Sequence, residues 1–586
     1  MLLIFLILFL SLSSPVFANQ EFTLNQKINY QIDNLGNAYV TQESELINNY
    51  SEIYPQNYQI SISSTNINNV TSNDNFGNIL QKTEKIGDQT KIYLKFNQAS
   101  IGKNQITKFN LNYTIPKFAT QKGNTWEISL PDFKQIQDQD SVSLTISLPT
   151  SFGNLSFTSS TPNQINALNQ QTQIYFTTEN VKNKNILLIF GDYQLFDFNL
   201  KYFLSNSSNY PKTQQIAIPP QTDNQKITYQ KIDPSPQNII IDQDGNWLAE
   251  YQLAANQELS INISGQAKII HSNQTLAKIN PIQYLKPQNF WPTQNQELIK
   301  IAQNLKTPKD IFQYVVNTLG YKTSNFDLSY RKGADQTILN PSDSLCTEFT
   351  DLFVTLARIK GIPAREVEGY AYTNNQKIKP INDNTDILHA WPQYYDTNKK
   401  AWISIDPTWT KTTSGVDFFN DLDPNHLVFV FHGLDSQNPP TPGSYKNNQN
   451  IKTVEVNFSK TELTPNFFPI EIKNKSSSIL QKQIIQIYNP NLNAITNLNF
   501  KTKNNDWKYH IDLIAPLSLV EIPLQINYLS PKINISVNSD NNQNVNFSIN
   551  NHLFYFSLIV ILGLIITSIG FGGIILKKKH RHEKNT

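Results

Sequence analysis

Alternation between hydrophobic and polar positions is the dominant pattern of the first 285 residues. It is clear in AYVTQESELIN (38–48), KIYLKF (91–96) and SVSLTISLP (141–149), which Asn, Asp, Gly and Pro separate from their neighbours. A period of two is typical of strands that bury one face. The pattern therefore predicts antiparallel strands and an N-terminal β-sandwich domain over residues 19–205.

A second β-rich domain is predicted over residues 206–285. Its clearest element is IIIDQDGNWLAEYQL (239–253), where Asp-Gly-Asn separates two hydrophobic segments as in a β-hairpin. Alternation returns late in the chain, for example in TVEVNFS (453–459), and predicts a C-terminal β-sandwich domain over residues 440–537. An Asn- and Ser-rich stalk is predicted after it, over residues 538–551.

Helical spacing replaces strand spacing in the middle of the chain. NQELIKIAQNL (295–305) and TPKDIFQYVVNTLG (307–320) carry hydrophobic residues three and four positions apart. The second segment has Thr307 as a potential N-cap and Pro308 in the first turn, both typical of a helix start. Strand-like runs follow, so residues 286–435 are predicted to form a central domain of mixed helices and strands.

Both termini carry hydrophobic segments of the kind that inserts into a membrane. Residues 1–18 end in SSPVFA and predict a signal peptide, although a retained anchor stays open because no basic residue precedes the hydrophobic run. Residues 553–576 contain no charge and are long enough to cross a hydrocarbon layer of roughly 30 Å. The basic tail 577–586 predicts a cytoplasmic C-terminus, with the bulk of the chain outside the cell membrane.

Charge makes nucleic acid an unexpected partner. The formal net charge of the chain is +2, of which the tail 577–586 contributes +4, so the remaining residues carry −2. A surface with that balance does not attract nucleic acid.

Cys346 is the single cysteine among 586 residues. Exported proteins usually pair their cysteines, and this one has no partner in the chain. Three potential N-cap residues, Ser342, Asp343 and Ser344, precede it, and an apolar helical face follows, so Cys346 is predicted in the first turn of a helix. At that end the helix dipole favours the nucleophilic thiolate.

A thiolate nucleophile needs a proton carrier and a group that orients this carrier. His389 lies in ILHAWPQYYD (387–396) and Asp406 in AWISIDPTW (401–409), both of which resemble strands. Two neighbouring antiparallel strands would present these side chains together, facing the Cys346 helix. We therefore predict Cys346 as the nucleophile, His389 as the proton carrier and Asp406 as the residue that orients His389.

The order of these motifs resembles that of the transglutaminase-like superfamily. The resemblance extends over about residues 291–433 and includes LARIKGIPAREVEGY (356–370), HAW at His389 and WISIDPTW at Asp406. It implies a papain-like fold, a triad with Cys346 as nucleophile, and chemistry through an acyl-thioester. The predicted fold class is therefore multidomain: a β-sandwich-rich ectodomain, a central α+β transglutaminase-like domain and one C-terminal transmembrane helix.

One position departs from the family pattern. Family members commonly carry a hydrophobic and then an acidic residue after HAW, whereas this chain has Pro392 and Gln393. Because proline cannot donate a ladder hydrogen bond, the strand that carries His389 is predicted to be bulged or at a sheet edge.

These features predict an extracellular, membrane-anchored enzyme that performs cysteine-dependent acyl transfer or amide hydrolysis on proteins or peptides. Transferase and hydrolase share the thioester step and differ in whether an amine or water reaches it. A cysteine peptidase of the same fold stays open, as does a non-catalytic surface protein that binds a partner.

The other candidate ligands are interpreted as structural. Asp421, Asp423 and Asn425 match no calcium loop and are predicted to form a solvated turn. With one cysteine and no phosphate-binding loop, neither a metal nor a cofactor is expected. Ordinary core or surface positions are assigned to the following histidines: His271, His426, His432, His510 and His552.

Overall fold

The structure is a computed structural model that describes most of the chain from residue 20 to residue 582. The chain divides into two compact units, of which the first ends at Gly191 and the second begins at Asp192. The predicted signal peptide, residues 1–18, lies outside the described residues. Also outside are residues 65, 88, 99, 131–135, 271–279, 323–330, 373–387, 414, 449–450, 476–483, 504–506, 525–530, 542, 551 and 583–586.

The described part of the first unit consists almost entirely of strands, as the alternation predicts. One short helix, α1 (Thr178–Val181), and one 3-10 turn (Thr150–Phe152) interrupt them. The strands are β1 (Phe22–Ile32), β2 (Ala38–Asn48), β3 (Asn57–Ile62), β4 (Asn68–Asp74), β5 (Gly77–Asn78), β6 (Leu80–Ile86), β7 (Gln89–Lys95), β8 (Ile106–Ile115), β9 (Ala119–Lys122), β10 (Thr125–Ser129), β11 (Ser141–Pro149), β12 (Leu155–Thr158), β13 (Gln164–Leu168), β14 (Gln171–Thr177) and β15 (Leu187–Phe190).

These strands form three sheets around one hydrophobic core. Eight strands follow the order β13-β14-β11-β1-β2-β8-β4-β5, four follow β12-β15-β10-β9, and three follow β3-β7-β6. The expectation of antiparallel strands is wrong at one place, because β1 pairs parallel with β11 over Asn25–Gln31 and Ser141–Ser147. Alternation indicates which face of a strand is buried, but it does not specify the direction of the neighbouring strand.

The second unit continues with strands, then helices, then strands again. Its helices are α2 (Gln296–Gln303), α3 (Pro308–Thr318), α4 (Ala334–Thr337), α5 (Cys346–Ile359), α6 (Pro407–Thr412) and α7 (His552–His582), with a 3-10 turn at Pro281–Leu285. Its strands are β16 (Tyr193–Ser205), β17 (Lys212–Ile218), β18 (Gln225–Asp233), β19 (Asn238–Ile241), β20 (Trp247–Leu253), β21 (Glu258–Ile270), β22 (Ala364–Ala371), β23 (His389–Asp396), β24 (Ala401–Ser404), β25 (His426–His432), β26 (Val454–Phe458), β27 (Glu471–Asn474), β28 (Ile484–Tyr488), β29 (Ile495–Thr502), β30 (Lys508–Ile514), β31 (Leu519–Pro523), β32 (Lys532–Asn538) and β33 (Val545–Asn550).

Strand pairing places three segments differently from the predicted domain limits. The sheet β18-β21-β16-β26 joins β16, expected in the N-terminal domain, and β26, expected in the C-terminal domain, to the strands of the second β-rich domain. β33 extends the sheet β30-β29-β32-β33 into the segment expected to be a stalk. Local alternation carries no signal for these pairings, because the partner strands are distant in sequence. The remaining predicted limits stay predictions.

The central helices begin where their sequences predict. Thr307 caps α3, since its hydroxyl accepts a hydrogen bond from Asp310 N at 3.1 Å, and Pro308 is the first helical residue. α5 packs on β22 and β23 of the sheet β24-β23-β22-β25. Its inner face is fully buried and consists of Phe349, Leu352, Phe353 and Leu356. This burial anchors the helix that begins with Cys346.

The strand that carries His389 has no bulge against β22, but its ladder with β24 begins only after Pro392. β23 lies between β22 and β24, and its register with β22 is regular from Ala364 opposite Tyr394 to Gly369 opposite His389. The carbonyl of Pro392 accepts from Ile405 N, so the Pro392 nitrogen points toward the same side. Regular pairing with β24 begins only at Gln393, so Pro392 lies at a locally open edge of β23, as its missing N–H predicted, and keeps a single hydrogen bond with Ile405.

Amide side chains from the preceding β-strands hold the outer strand β25. Asn246 forms two hydrogen bonds with the backbone of Phe431, accepting from its N at 2.7 Å and donating to its O at 2.9 Å. Gln225 does the same with Val428, at 2.8 and 2.9 Å. β25 therefore has β22 on one side and these two amides as further backbone partners.

One helix among the described residues is long and apolar enough to cross a membrane. It is the part of α7 from Phe554 to His580, and its side chains do not pack against the rest of the chain. This agrees with the predicted span over residues 553–576, and the length and composition fit a single-pass membrane protein.

Candidate active site

Cys346 is the first residue of α5, as predicted, but the residue that precedes the helix is not one of the three expected caps. The N-cap is Leu345, whose backbone N–H donates to Oε2 of Glu348 at 2.8 Å. The carboxylate of Glu348 thus binds the N–H of the N-cap residue, whereas no side chain at the N-cap accepts from the first N–H groups inside α5. Cys346 is half-buried and free, so its thiol lies beside the positive end of the helix dipole.

His389 lies on β23, whereas Asp406 lies just beyond the neighbouring antiparallel strand β24 and not on it. His389 opens β23, and Asp406 follows β24 and caps α6, where its Oδ1 accepts from Trp409 N at 2.9 Å. Nε2 of His389 lies 2.7 Å from Oδ2 of Asp406. The side chain of Cys346 lies close enough to the imidazole to raise its pKa through hydrogen bonding and charge. Since Nε2 binds Asp406, Nδ1 is the ring nitrogen left to face the sulfur.

The electrostatics of this contact favour a charged imidazole. Burial alone would lower the pKa of His389, but the charge and hydrogen bond of Asp406, together with Cys346, raise it to about 9. Burial likewise would raise the pKa of Asp406, yet His389 and His426 lower it to about 2. Near neutral pH the buried pair is therefore an imidazolium and a carboxylate.

Two tryptophans pack against the imidazole of His389. Trp391 and Trp409 stack with it at centroid distances of 5.8 and 5.6 Å and interplanar angles of 27° and 29°. His389 and Asp406 are both buried, and an ion pair gains from the low dielectric of such surroundings.

Sequence reasoning missed His426, which contacts the same carboxylate. Its Nε2 lies 3.3 Å from Oδ2 of Asp406, and its Nδ1 lies 2.7 Å from Oδ1 of Asp423. Asp423 and Asn425 are both buried, so the prediction that they belong to a solvated turn is wrong. A His three residues after an Asp, at the start of a hydrophobic strand, is too common a pattern to have indicated this contact.

Tyr321 is a second neighbour of the thiol that the sequence did not reveal. Hydrogen bonds from Lys322 N to Ser344 O and from Ser344 N to Gly320 O join its segment to the residues before α5. Burial raises the pKa of Tyr321, and the nearby charges of Cys346, Asp406 and Glu348 raise it further. A phenol therefore lies within electrostatic reach of the thiol.

Arg331 is the centre of a separate buried ionic network behind α5. Its Nε donates to Oδ2 of Asp351 at 2.9 Å, and one terminal nitrogen donates to Oε1 of Glu366 at 2.8 Å. Nδ1 of His432 lies 3.1 Å from the other oxygen of Glu366, and Trp291 Nε1 donates to Asp351 at 2.8 Å. This network ties the loop before α4 to α5 and β22.

Two groups of side chains bring potential metal ligands close together. In each group the ligand atoms lie within 4.8 Å of one another. In both, the nitrogen and oxygen atoms already pair with each other or with Arg331, so a metal ion would have to break these contacts. We assign a metal to neither. The groups are His389, Asp406 and His426, and Glu366, Glu368 and His432.

Comparison with sequence families identifies the class of this region. The model of the Transglutaminase-like superfamily matches residues 295–407, from the start of α2 to the start of α6, and so includes Cys346, His389 and Asp406. The match confirms, for residues 295–407, the resemblance to the transglutaminase-like superfamily that the motifs suggested.

Solved structures resemble parts of the chain. A candidate cysteine protease from Cytophaga hutchinsonii is 18% identical, covers 47% of this chain and 95% of its own, and gives a TM-score of 0.32. The periplasmic domain of TgpA from Pseudomonas aeruginosa is 16% identical and covers 38% of this chain and 92% of its own, with a TM-score of 0.22. A candidate nutrient-binding protein from Legionella pneumophila is 9% identical over 29% of this chain and 68% of its own, also with a TM-score of 0.22. Comparison with curated protein sequences found no match.

Proposed function

We propose that the protein is a membrane-anchored enzyme that forms acyl-thioesters at Cys346 with carbonyl groups of extracellular proteins or peptides. The observation that carries the proposal is the position of His389, whose Nε2 lies 2.7 Å from Oδ2 of Asp406 and whose pKa the nearby side chain of Cys346 raises. A nucleophile, a proton carrier and an orienting carboxylate in contact are what acyl transfer through a thioester requires.

The first half of the proposed reaction breaks an amide bond. The sulfur of Cys346 attacks the carbonyl carbon of a glutamine side chain or a peptide bond, and the carbonyl oxygen becomes an oxyanion. The backbone N–H of Cys346, at the positive end of α5, is the natural donor to this oxygen. The C–N bond then breaks, and His389 gives its Nδ1 proton to the leaving ammonia or amine.

The second half releases the acyl group. Water or a primary amine attacks the thioester carbon, His389 accepts the proton of the attacking group, and the sulfur leaves as thiolate. Attack by water completes hydrolysis, and attack by an amine completes transfer. Asp406 keeps the ring of His389 oriented through both halves, because its second oxygen is fixed by the backbone of α6.

The location assigned to this activity is the outer side of a cell membrane. α7 supplies a single span, and Lys577, Lys578, Lys579 and Arg581 follow the apolar segment directly. By the positive-inside rule these residues stay in the cytoplasm, so the domain that contains Cys346 faces outward. A papain-like arrangement of this domain belongs to the same proposal.

The test is incubation of the full-length protein, purified in detergent, with a glutamine-containing protein. Each reaction is run with and without a primary amine and is read by mass spectrometry. Amine addition identifies a transglutaminase, chain cleavage a peptidase, and loss of ammonia alone a deamidase. Cys346→Ser and His389→Ala should abolish every product, whereas His510→Gln, an exposed histidine of β30, should leave all products unchanged. Absence of products, or equal products with Cys346→Ser, would overturn the proposal.

A further inference from the structure

His426 lies behind the contact between His389 and Asp406. It opens β25, and its Nε2 reaches Oδ2 of Asp406, the same oxygen that binds His389 Nε2. Its other nitrogen, Nδ1, reaches Asp423 at 2.7 Å. The side chains therefore form one continuous chain of contacts: Asp423, His426, Asp406, His389 and Cys346.

The partners of His426 determine its charge. Each of its two ring nitrogens faces a carboxylate oxygen, and an ionised carboxylate only accepts hydrogen bonds. Both ring nitrogens must then donate, which makes the ring an imidazolium. Burial would lower the pKa of His426, but Asp423 and Asp406 raise it to about 9, in agreement with this geometry.

Among the described residues, the ring of His426 is surrounded by two tryptophans and three titratable groups. Trp391 and Trp409 pack on the ring at centroid distances of 5.1 and 4.5 Å. The titratable groups around it are Asp406 at the start of α6, Asp423 in the loop before β25, and His389 of β23, whose centroid is 5.8 Å away. Tyr321 and Cys346 lie beyond Asp406 and His389 respectively.

We propose that His426, held by Asp423, is a positioning residue that acts as a fixed cation behind Asp406. It holds Oδ2 of Asp406 in place and shares the negative charge that would otherwise act on His389 alone. The role of His426 in catalysis rests on the proposed function. His426 acts through Asp406 and His389 and does not contact the sulfur of Cys346.

The proposal has a consequence for the ionisation of the site. A cation near the thiol favours the thiolate, and the same cation opposes the charge of the His389 imidazolium. Replacing His426 with a neutral residue removes both effects. Thiolate formation then requires a higher pH, and His389 retains its proton to a higher pH.

The test measures the rate at which iodoacetamide alkylates the full-length protein in detergent, between about pH 4 and pH 10. Cys346 is the only cysteine in the chain, so alkylation reports this thiol alone. His426→Gln keeps an N–H donor and removes the charge, and it should move the midpoint of the profile upward by about one pH unit. Asp423→Asn weakens the charge on His426 and should move the midpoint in the same direction by less.

His432→Gln is the matched control. His432 is also buried and paired with a carboxylate, Glu366, but it does not contact Asp406. The pH profile of alkylation of His432→Gln should have the same midpoint as that of the wild type. This holds even if the variant unfolds at a lower temperature. If His426→Gln fails to fold, Asp423→Asn carries the same test, because it leaves the imidazole in place.

An unchanged midpoint in folded His426→Gln and Asp423→Asn, with or without a lower rate, would overturn the proposal. Alkylation needs no substrate, so the two proposals fail separately. A shifted midpoint without turnover of any amide retains the positioning role and discards the proposed function. Turnover without a shifted midpoint retains the proposed function and discards the positioning role of His426.

Discussion

Oδ2 of Asp406 lies 2.7 Å from Nε2 of His389, while Oδ1 of the same carboxylate accepts the backbone N–H of Trp409. One side chain thus caps α6 and orients an imidazole. Rotation of the carboxylate would break the helix cap, so its direction toward His389 is fixed by the backbone.

Asp406→Asn should separate these two tasks. Asparagine is a good N-cap, so α6 should persist, but the charge that stabilises the His389 imidazolium is lost. We expect the rate of thioester formation to fall roughly 10²- to 10⁴-fold, with little change in thermal stability. The measurement is the single-turnover rate with an amide substrate. Asp417→Asn, whose partner Lys309 is half-exposed, is the control, and a loss of less than tenfold with Asp406→Asn would contradict the assigned role.

Stability should fall as pH rises through the alkaline range. His389, His426 and His432 each have a pKa raised from 6.5 to about 9 despite burial, because carboxylates contact them. A raised pKa means that the folded state binds the proton more tightly. The stabilisation is therefore complete below about pH 6.5 and is lost as pH approaches and passes 9.

The thermal midpoint of unfolding, followed by tryptophan fluorescence, should accordingly decrease from pH 6.5 to pH 9.5. Trp291, Trp391, Trp402 and Trp409 report on the central domain. His432→Gln should show a weaker decrease, because it removes one of the three groups. A midpoint that is flat or that rises over this range would show that these histidines are not protonated in the folded protein.

Arg331→Met should destabilise the central domain strongly. It leaves the buried carboxylate of Asp351 without a cation and Glu366 with His432 alone, and breaking a buried ion pair on one side costs about 3–5 kcal/mol. Lys309→Met, which removes the half-exposed partner of Asp417, should cost no more than about 1 kcal/mol. The two variants are compared by denaturant unfolding at pH 7, and equal costs would contradict the network.

Gly369→Ala should disrupt the sheet beside the candidate active site. A Cβ at this position would overlap the carbonyl oxygen of Leu427 and lie 3.0 Å from the Trp391 ring. Since Leu427 follows His426 on β25, relief of this clash moves the strand that carries His426. We expect a large fall in the thermal midpoint and loss of activity. Gly361→Ala, where a Cβ meets nothing within 4 Å but φ is +75°, should cost only about 1 kcal/mol.

The proposed orientation makes a separate prediction for intact cells. Protease added from outside should digest the domain that contains Cys346 and leave an epitope fused after residue 586 protected. Ile565→Lys places a charge in the middle of the apolar part of α7. It should make the free energy of membrane insertion less favourable by about 2.5–3.5 kcal/mol. Carbonate extraction measures retention. Digestion of the C-terminal epitope in intact cells would reverse the assigned orientation.

Local patterns in the sequence contained much of the site. Helical spacing after Cys346, the caps of α3 and the alternation around His389 and Asp406 are short-range signals, and the structure follows them. The cap of α5 differs, because Leu345 and not one of the preceding Ser or Asp residues takes the N-cap position, and the carboxylate of Glu348 binds its N–H.

Contacts between segments distant in sequence were beyond the reach of those patterns. Alternation shows that β16 and β25 each bury one face, but it does not select their neighbours. The same limit hid His426, whose role depends on Asp406, twenty residues earlier, and on its own position at the start of β25. Asp423 looked like a turn residue because its burial arises only from this packing.

β25 lies outside the region that the family comparison recognises, which ends at residue 407. A fragment trimmed to that region would leave one edge of β22 without backbone partners and would expose it to pairing with other chains. The strand that closes this edge is itself held by Asn246 and Gln225, upstream of the match. The region that matches the family and the unit that folds thus have different boundaries. A fragment that keeps β25 in place must begin among the strands before residue 295.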